Sequence, residues 1–215
     1  RSYHSILSRN IGAGTSADPK MIYSVSNAPG GLQYIPTSGL GLYYKLANNI
    51  DASETSSWNS GAGFTPIGTN TTPFAGSLNG DSKTISSLYV NLPATTFVGL
   101  FGYLSSTSSV SDLGVSNSSI TGQYRIGGLA GHSEGSVTGS YFSGDISGLH
   151  QIGGLVGYLT GGGSITNCYF IGAVSSPNGT NHSVIGGLIG QNGGGAIIDC
   201  YSTGTVTVQS SGEIN

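Results

Sequence analysis

The chain has 215 residues, enough for one domain with a substantial core, and only 7% of them are charged, against about a quarter in ordinary soluble domains. Net charge is −3, and Arg125 is the sole Lys or Arg after Lys83, which excludes a nucleic-acid partner because phosphate binding needs clustered cations. No apolar run approaches 18 residues, so this segment carries no membrane span. Glycine numbers 38, yet hydrophobic residues make up 36% and fall in β-branched runs, which argues for a folded chain rather than a disordered one. Because it opens on Arg1 with no signal-like stretch, the chain reads as a processed or excised segment.

In chain order, residues 1–40 read as an irregular N-terminal cap or imperfect first coil. The turn-forming stretches "NIGAGTSADPK" and "SNAPGGLQYIPTSGLG" flank a short strand candidate, "MIYSV". From residue 41 onward the pattern is strands and turns. The phrase "VGLFG" ends at Gly102, "IGGLAG" at Gly131, "IGGLVG" at Gly157 and "IGGLIG" at Gly190, with spacings of 29, 26 and 33 residues. Each phrase is followed by a second element: "SSVSDLGVSNSSITG", "GSVTGSYFSGDISG", "GSITNCYFIGAVS" and "GAIIDCYSTGTVTV". Aligned, Val110, Val137, Ile165 and Ile197 share a column, Leu113, Ser140, Cys168 and Cys200 a second, and Asp112, Gly139, Asn167 and Asp199 a third.

Periods of this length suit either helical repeats or a β-solenoid. Helical repeats need a 3.6 period and good helix formers, whereas these runs are rich in Ile, Val, Thr and Tyr and are broken by glycine. The pattern therefore predicts an all-β, right-handed parallel β-helix (β-solenoid), with about three short strands per coil over residues 41–215. Successive coils pair at roughly 4.8 Å per rung and bury one another's apolar faces; the handedness follows from the general chirality of parallel β connections. Within this scheme Gly99, Gly102, Gly127, Gly128, Gly131, Gly153, Gly154, Gly157, Gly186, Gly187 and Gly190 are structural turn glycines. At these corners a Cβ would either demand an unfavourable φ or push the rungs apart. Ile126, Leu129, Ala130, Ile152, Leu155, Ile185 and Leu188 read as inward and wall positions.

"GGLVG" and its variants, followed by "NCYFIGAV" and "DCYSTGTV", resemble the GLUG repeat of large bacterial surface and secreted proteins. The upstream segments "YYKLANNIDAS", "FAGSLNGDSKTISSLYV" and "VGLFG" are similar to the lead-in of filamentous-haemagglutinin-like adhesins. Accessory regions of some immunoglobulin A peptidases carry the same repeat. The resemblance implies a non-enzymatic, extracellular or cell-surface structural and adhesion module. Its partners would be a surface protein or glycan of a host or neighbouring cell, or copies of itself stacked end to end as a filament. A polysaccharide-active β-helix enzyme is the catalytic alternative.

The residues themselves offer little chemistry. Glu134, Asp145, Asp199 and Glu213 share no repeat column, so the carboxylate cluster such an enzyme needs is missing. Asp199 and its column read as turn caps through side-chain hydrogen bonds. His4, His132, His150 and His182 read as solvent-facing loop residues. No catalytic residues, metal ligands or cofactors are assigned. Cys168 and Cys200 lie one coil apart, roughly 5 Å between Cα atoms, where either stacked free thiols or a disulfide is sterically open. Tyr141, Tyr169 and Tyr201 follow the inward Ser/Cys position, so alternation points them outward as a surface aromatic ladder, for a sugar or protein partner or for rung-to-rung stacking.

Overall fold

The computed structural model describes residues 12–179 and 184–210 as short parallel strands joined by turns, with a 3-10 segment at Ser53–Gly61. One coil shows the scheme. Tyr124–Gly127 runs into Ala130–Ser133, then Ser136–Thr138, then Tyr141–Ser147. The next coil repeats it as His150–Gly153, Val156–Thr160, Ser164–Thr166 and Tyr169–Gly179. Stacked coils form three sheets among the described residues: one of thirteen strands and two of four. Each coil thus contributes one run per sheet. The run in the large sheet is split by a residue of positive φ, Gly139 at 57° in one coil and Asn167 at 53° in the next.

In the four-stranded sheet that carries the closing glycines, register is strict along the stack. Phe101 pairs with Ala130, Ala130 with Val156, and Val156 with Ile189. With His132 opposite both Tyr103 and Tyr158, the closing glycines Gly102, Gly131, Gly157 and Gly190 fall on one line. The apolar columns point inward as alternation requires: Val110, Val137 and Ile165 are at most 1% exposed, as are Ile126, Ile152, Leu129 and Leu155. The last described coil has no coil above it among the described residues, and its counterpart Ile197 is 44% exposed.

Towards the N-terminus, Lys20–Ile22 pairs in parallel with Tyr43–Leu46, continuing the large sheet. A short 3-10 turn at Leu32–Tyr34 and a single helical turn at Ile35–Ser38 insert Leu32 and Ile35, both fully buried, into this end of the core. The first eleven residues of the expected cap lie outside the described residues.

Of the two constraints expected at the glycine phrases, backbone conformation and space, only space acts on them. None of their glycines has positive φ, so conformational freedom is not what selects them. Space is. A Cβ on Gly127 would sit 2.3 Å from the Ala130 carbonyl oxygen and 2.7 Å from the Gly157 nitrogen; one on Gly157 would sit 2.5 Å from the Ile126 nitrogen. The two four-stranded sheets are therefore pressed together backbone to backbone. The middle glycines have another tenant: a Cβ on Gly128 or Gly154 would lie 2.2 Å from the ring of Phe142 or Phe170 respectively. These rings stack along the axis with centroids 6.2 Å apart.

Positive φ falls instead on Asp112 (51°), Gly139 (57°), Asn167 (53°) and Asp199 (51°). This is the column expected to make capping hydrogen bonds. Among the described residues the side chains of Asp112, Asn167 and Asp199 make none; the residue types are those that tolerate a left-handed backbone.

Candidate functional site

Directly after Gly139, Asn167 and Asp199 come Ser140, Cys168 and Cys200, in the column that Leu113 begins, and these side chains do more than fill space. The Ser140 hydroxyl accepts the Leu113 N–H at 3.1 Å and donates to the Thr138 carbonyl at 2.9 Å. Cys168 Sγ accepts the Ser140 N–H at 3.4 Å and donates to Thr166 O at 3.2 Å. Cys200 Sγ repeats the pattern with the Cys168 N–H (3.4 Å) and Ile198 O (3.1 Å). A separate left-handed residue, Asn117 with φ of 49°, is followed by Ser118, which bonds in the same way, accepting the Leu88 N–H at 3.0 Å and donating to Ser116 O at 2.8 Å. The kink removes an N–H from the regular ladder, and the side chain above it supplies the missing acceptor. Cys168 and Cys200 are free thiols. A disulfide would withdraw both S–H donors and redirect the sulfurs. Burial pushes the Cys168 thiol up to about 11, which keeps its proton in place for Thr166.

The neighbouring tyrosines stack face to face. Tyr141 and Tyr169 have centroids 4.8 Å apart at 5°, and Tyr169 and Tyr201 5.2 Å apart at 7°. The series ends on Gly114, where a Cβ would strike the Tyr141 ring, and the Tyr141 hydroxyl lies 3.2 Å from Thr84 Oγ1. A recess of about 260 Å³ lined by Lys83, Asp112 and Tyr141 adjoins it.

A second constellation lies where the two small sheets meet. The residue after each closing glycine forms a column, Tyr103, His132, Tyr158 and Gln191, in direct register. Opposite it stand Phe97, Arg125 and Gln151, with φ of 66°, 55° and 53°. Register passes from Thr96, Tyr124 and His150 straight to Val98, Ile126 and Ile152. The left-handed residues therefore drop out of strand alternation, and their side chains turn across to the neighbouring column. Arg125 lies 5.0 Å from the Phe97 ring centroid and 4.8 Å from that of Tyr158, a double cation–π packing. Its Nε donates to Gln151 Oε1 at 3.1 Å, and Nη1 reaches His132 Nδ1 at 3.3 Å.

His132, expected in a solvent-facing loop, is 4% exposed and stacks on Tyr103 at 4.1 Å. Burial, then the Arg125 charge, lowers its pKa to about 4, so the ring is neutral near pH 7. A neutral ring accepting from Arg125 at Nδ1 carries its proton on Nε2, which faces Thr160 Oγ1 at 3.3 Å. Tyr103 donates to Glu134 Oε1 at 2.7 Å, and burial with that bond pushes the phenol up to about 12. The sequence did carry a signal for this cluster, the fixed step from each closing glycine. His150 sits on a strand, half-buried, with its ring 6.0 Å from Tyr124. His4, His182 and Glu213 lie outside the described residues. Among the described residues no group of three His, Cys, Asp or Glu could hold a metal, and no helix is long and apolar enough to cross a membrane.

These features define a parallel β-solenoid whose coils are locked by glycine contacts and Ser/Cys side chains. The GLUG motif matches it three times, at residues 122–147, 148–175 and 181–207, so the C-terminal coils are a GLUG-repeat region. Over 157 residues, 71% of the chain, it is 40% identical to Halomucin from Haloquadratum walsbyi. A Gly-rich protein of Evansella cellulosilytica, provisionally named a membrane protein, is 27% identical over 63% of the chain. The chain spans only 2% of the length of the first relative and 16% of the second. A crystal structure of a protein provisionally named an immunoglobulin A1 protease, from Bacteroides ovatus, matches with a TM-score of 0.60. It covers 94% of this chain and 82% of its own at 20% identity, a likeness of fold.

Proposed function

We propose that this chain is a surface-associated, non-enzymatic β-solenoid module: a stiff segment of a longer protein that displays side-chain columns outside the cell. The observation that carries the reading is the unbroken in-register stacking of GLUG coils, with closing glycines on one line from Gly102 to Gly190. Backbone ladders running along the axis resist bending, as a spacer or presentation element requires. The similarity to Halomucin and to a Gly-rich protein provisionally named a membrane protein supports placement at a surface. A glycan or protein of a neighbouring cell is the partner class this reading implies, with the tyrosine ladder as one contact strip.

Antibodies raised against residues 122–207 test the placement on cells that produce the protein. Labelling of intact cells is expected; labelling only after permeabilisation would refute it. Incubation of the purified chain with immunoglobulin A1 and with acidic and neutral polysaccharides tests the non-enzymatic half. Cleavage of any of them, abolished by substitution in the chain, would replace the reading with an enzymatic one.

A further inference from the structure

Trp58 is the chain's one tryptophan, and it sits in the 3-10 segment Ser53–Gly61 rather than on a strand. That segment breaks at Trp58 (φ −76°, ψ 154°), and Asn59 follows in the left-handed region at φ 51°. At the break, Trp58 and Asn59 meet the N-terminal turns and Thr65 around a cleft of about 440 Å³, within the roughly 300–1,000 Å³ of small-molecule sites. Asn27, Pro36, Thr37, Asn59 and Thr65 are exposed, so the cleft opens to solvent. Gln33 holds its walls together: the amide donates to Thr65 O at 3.1 Å and accepts the Thr65 N–H at 2.8 Å. Asn59 Nδ2 donates to Gly63 O at 2.7 Å, which fixes that side chain and leaves Oδ1 as an acceptor. These bonds are in place before any ligand arrives, so less ordering entropy remains to be lost on binding.

We infer that this cleft binds a neutral pyranose unit of a glycan, with Trp58 as its stacking platform. Three observations select that ligand. The Trp58 ring stacks on no other aromatic ring among the described residues, and with Pro36 it gives the cleft an apolar wall, the surface that takes the C–H face of a sugar. Open hydrogen-bonding groups stand around that wall. The indole N–H donates to nothing among the described residues and is reached by solvent, since Ser176 Oγ is the one buried side-chain polar atom there without a partner. The Asn27 amide and the Thr37 hydroxyl, which both donate and accept as sugar hydroxyls do, are likewise unbonded there. Finally, no Asp, Glu, Lys, Arg or His among the described residues lines the cleft, so a charged ligand would lose water and gain no partner. A proline-rich peptide needs a groove lined by aromatic rings, and Trp58 is the single ring here. The inference rests on this cleft and not on surface placement, which the antibody labelling tests separately.

The test uses the whole chain and three neutral tetrasaccharides, built of glucose, of galactose and of N-acetylglucosamine. Because Trp58 has no second tryptophan beside it in the sequence, tryptophan fluorescence and the indole N–H resonance read this cleft directly. Saturable binding of at least one of the three is expected, with a shift of that resonance. Trp58→Ala, followed by calorimetry, should weaken binding at least about tenfold, the loss expected of an aromatic anchor. Trp58 also packs against the core. Asn27→Ala and Thr37→Ala, both at exposed positions, therefore keep the test decisive if that variant fails to fold. Each should weaken binding about two- to tenfold, the worth of one hydrogen bond. Circular dichroism checks the folding of every variant. No binding of any of the three sugars, binding that leaves the indole resonance unmoved, or undiminished binding by a folded Trp58→Ala protein or by both exposed variants would each overturn the inference. So would tighter binding of tetragalacturonate or of a proline-rich peptide.

Discussion

Gly128 and Gly154 show why a residue that weakens most strands recurs in this one. Each makes a slot for a phenylalanine from later in its own coil, and a methyl group there would sit 2.2 Å from the ring. Gly161, by contrast, has nothing within 4 Å of the place where a Cβ would be. Gly128→Ala is therefore expected to destabilise the protein by about 1–3 kcal/mol through overpacking. Gly161→Ala should be neutral or stabilising by up to about 1 kcal/mol, because it removes freedom from the unfolded chain. Urea denaturation of the two variants decides it: equal costs would show that glycine matters here through backbone freedom rather than space. The same contrast governs Asp112, Asn167 and Asp199, whose place is set by backbone conformation, with φ near 50°, and not by a side-chain bond.

Among the elements, the kinked run of the large sheet is the most informative. A left-handed residue followed by Ser or Cys makes a bracket, in which the side chain bonds back to its own strand and across to the coil before it. Cys168→Ser keeps a donor and an acceptor in place, so it should cost less than about 1 kcal/mol. Cys168→Ala strands the buried Ser140 N–H and should cost about 1–3 kcal/mol. Thermal denaturation under reducing conditions checks the order, and indistinguishable variants would reduce the bracket to simple packing. The spacing of this column was plain in the sequence, since Leu113, Ser140, Cys168 and Cys200 align. Its bonding was not, because a thiol accepting an N–H from another coil depends on where the kink lifts the backbone.

At the scale of the molecule, stability is a sum over coils and the interfaces between them. The interior coils are covered on both sides, and Val137 and Ile165 are fully buried. In the last described coil Ile197, Ile198, Val206 and Val208 are 44–52% exposed. Native-state hydrogen exchange of this chain should show its amides opening most readily there. Protection should be highest across residues 109–174, where each strand is paired on both sides. Uniform protection in every coil would mean that the chain unfolds as one unit. Charge has little part in this, since the Lys45–Asp81–Lys83 group is a surface pairing of modest worth.

From sequence alone came the architecture: four spaced glycine phrases, β-branched runs between them and aligned columns admit a stacked β-solenoid and little else. A repeat is a one-dimensional signal, and one-dimensional order is what a solenoid has. The three-dimensional fold alone decided what each column does. It set glycines against phenylalanine rings and neighbouring backbone, made brackets of Ser and Cys, and brought Arg125 and His132 together with Tyr103 and Tyr158. Those meetings depend on two sheets closing to backbone contact and on left-handed residues turning side chains out of alternation. Such events join residues from different coils, so no single stretch of the chain records them.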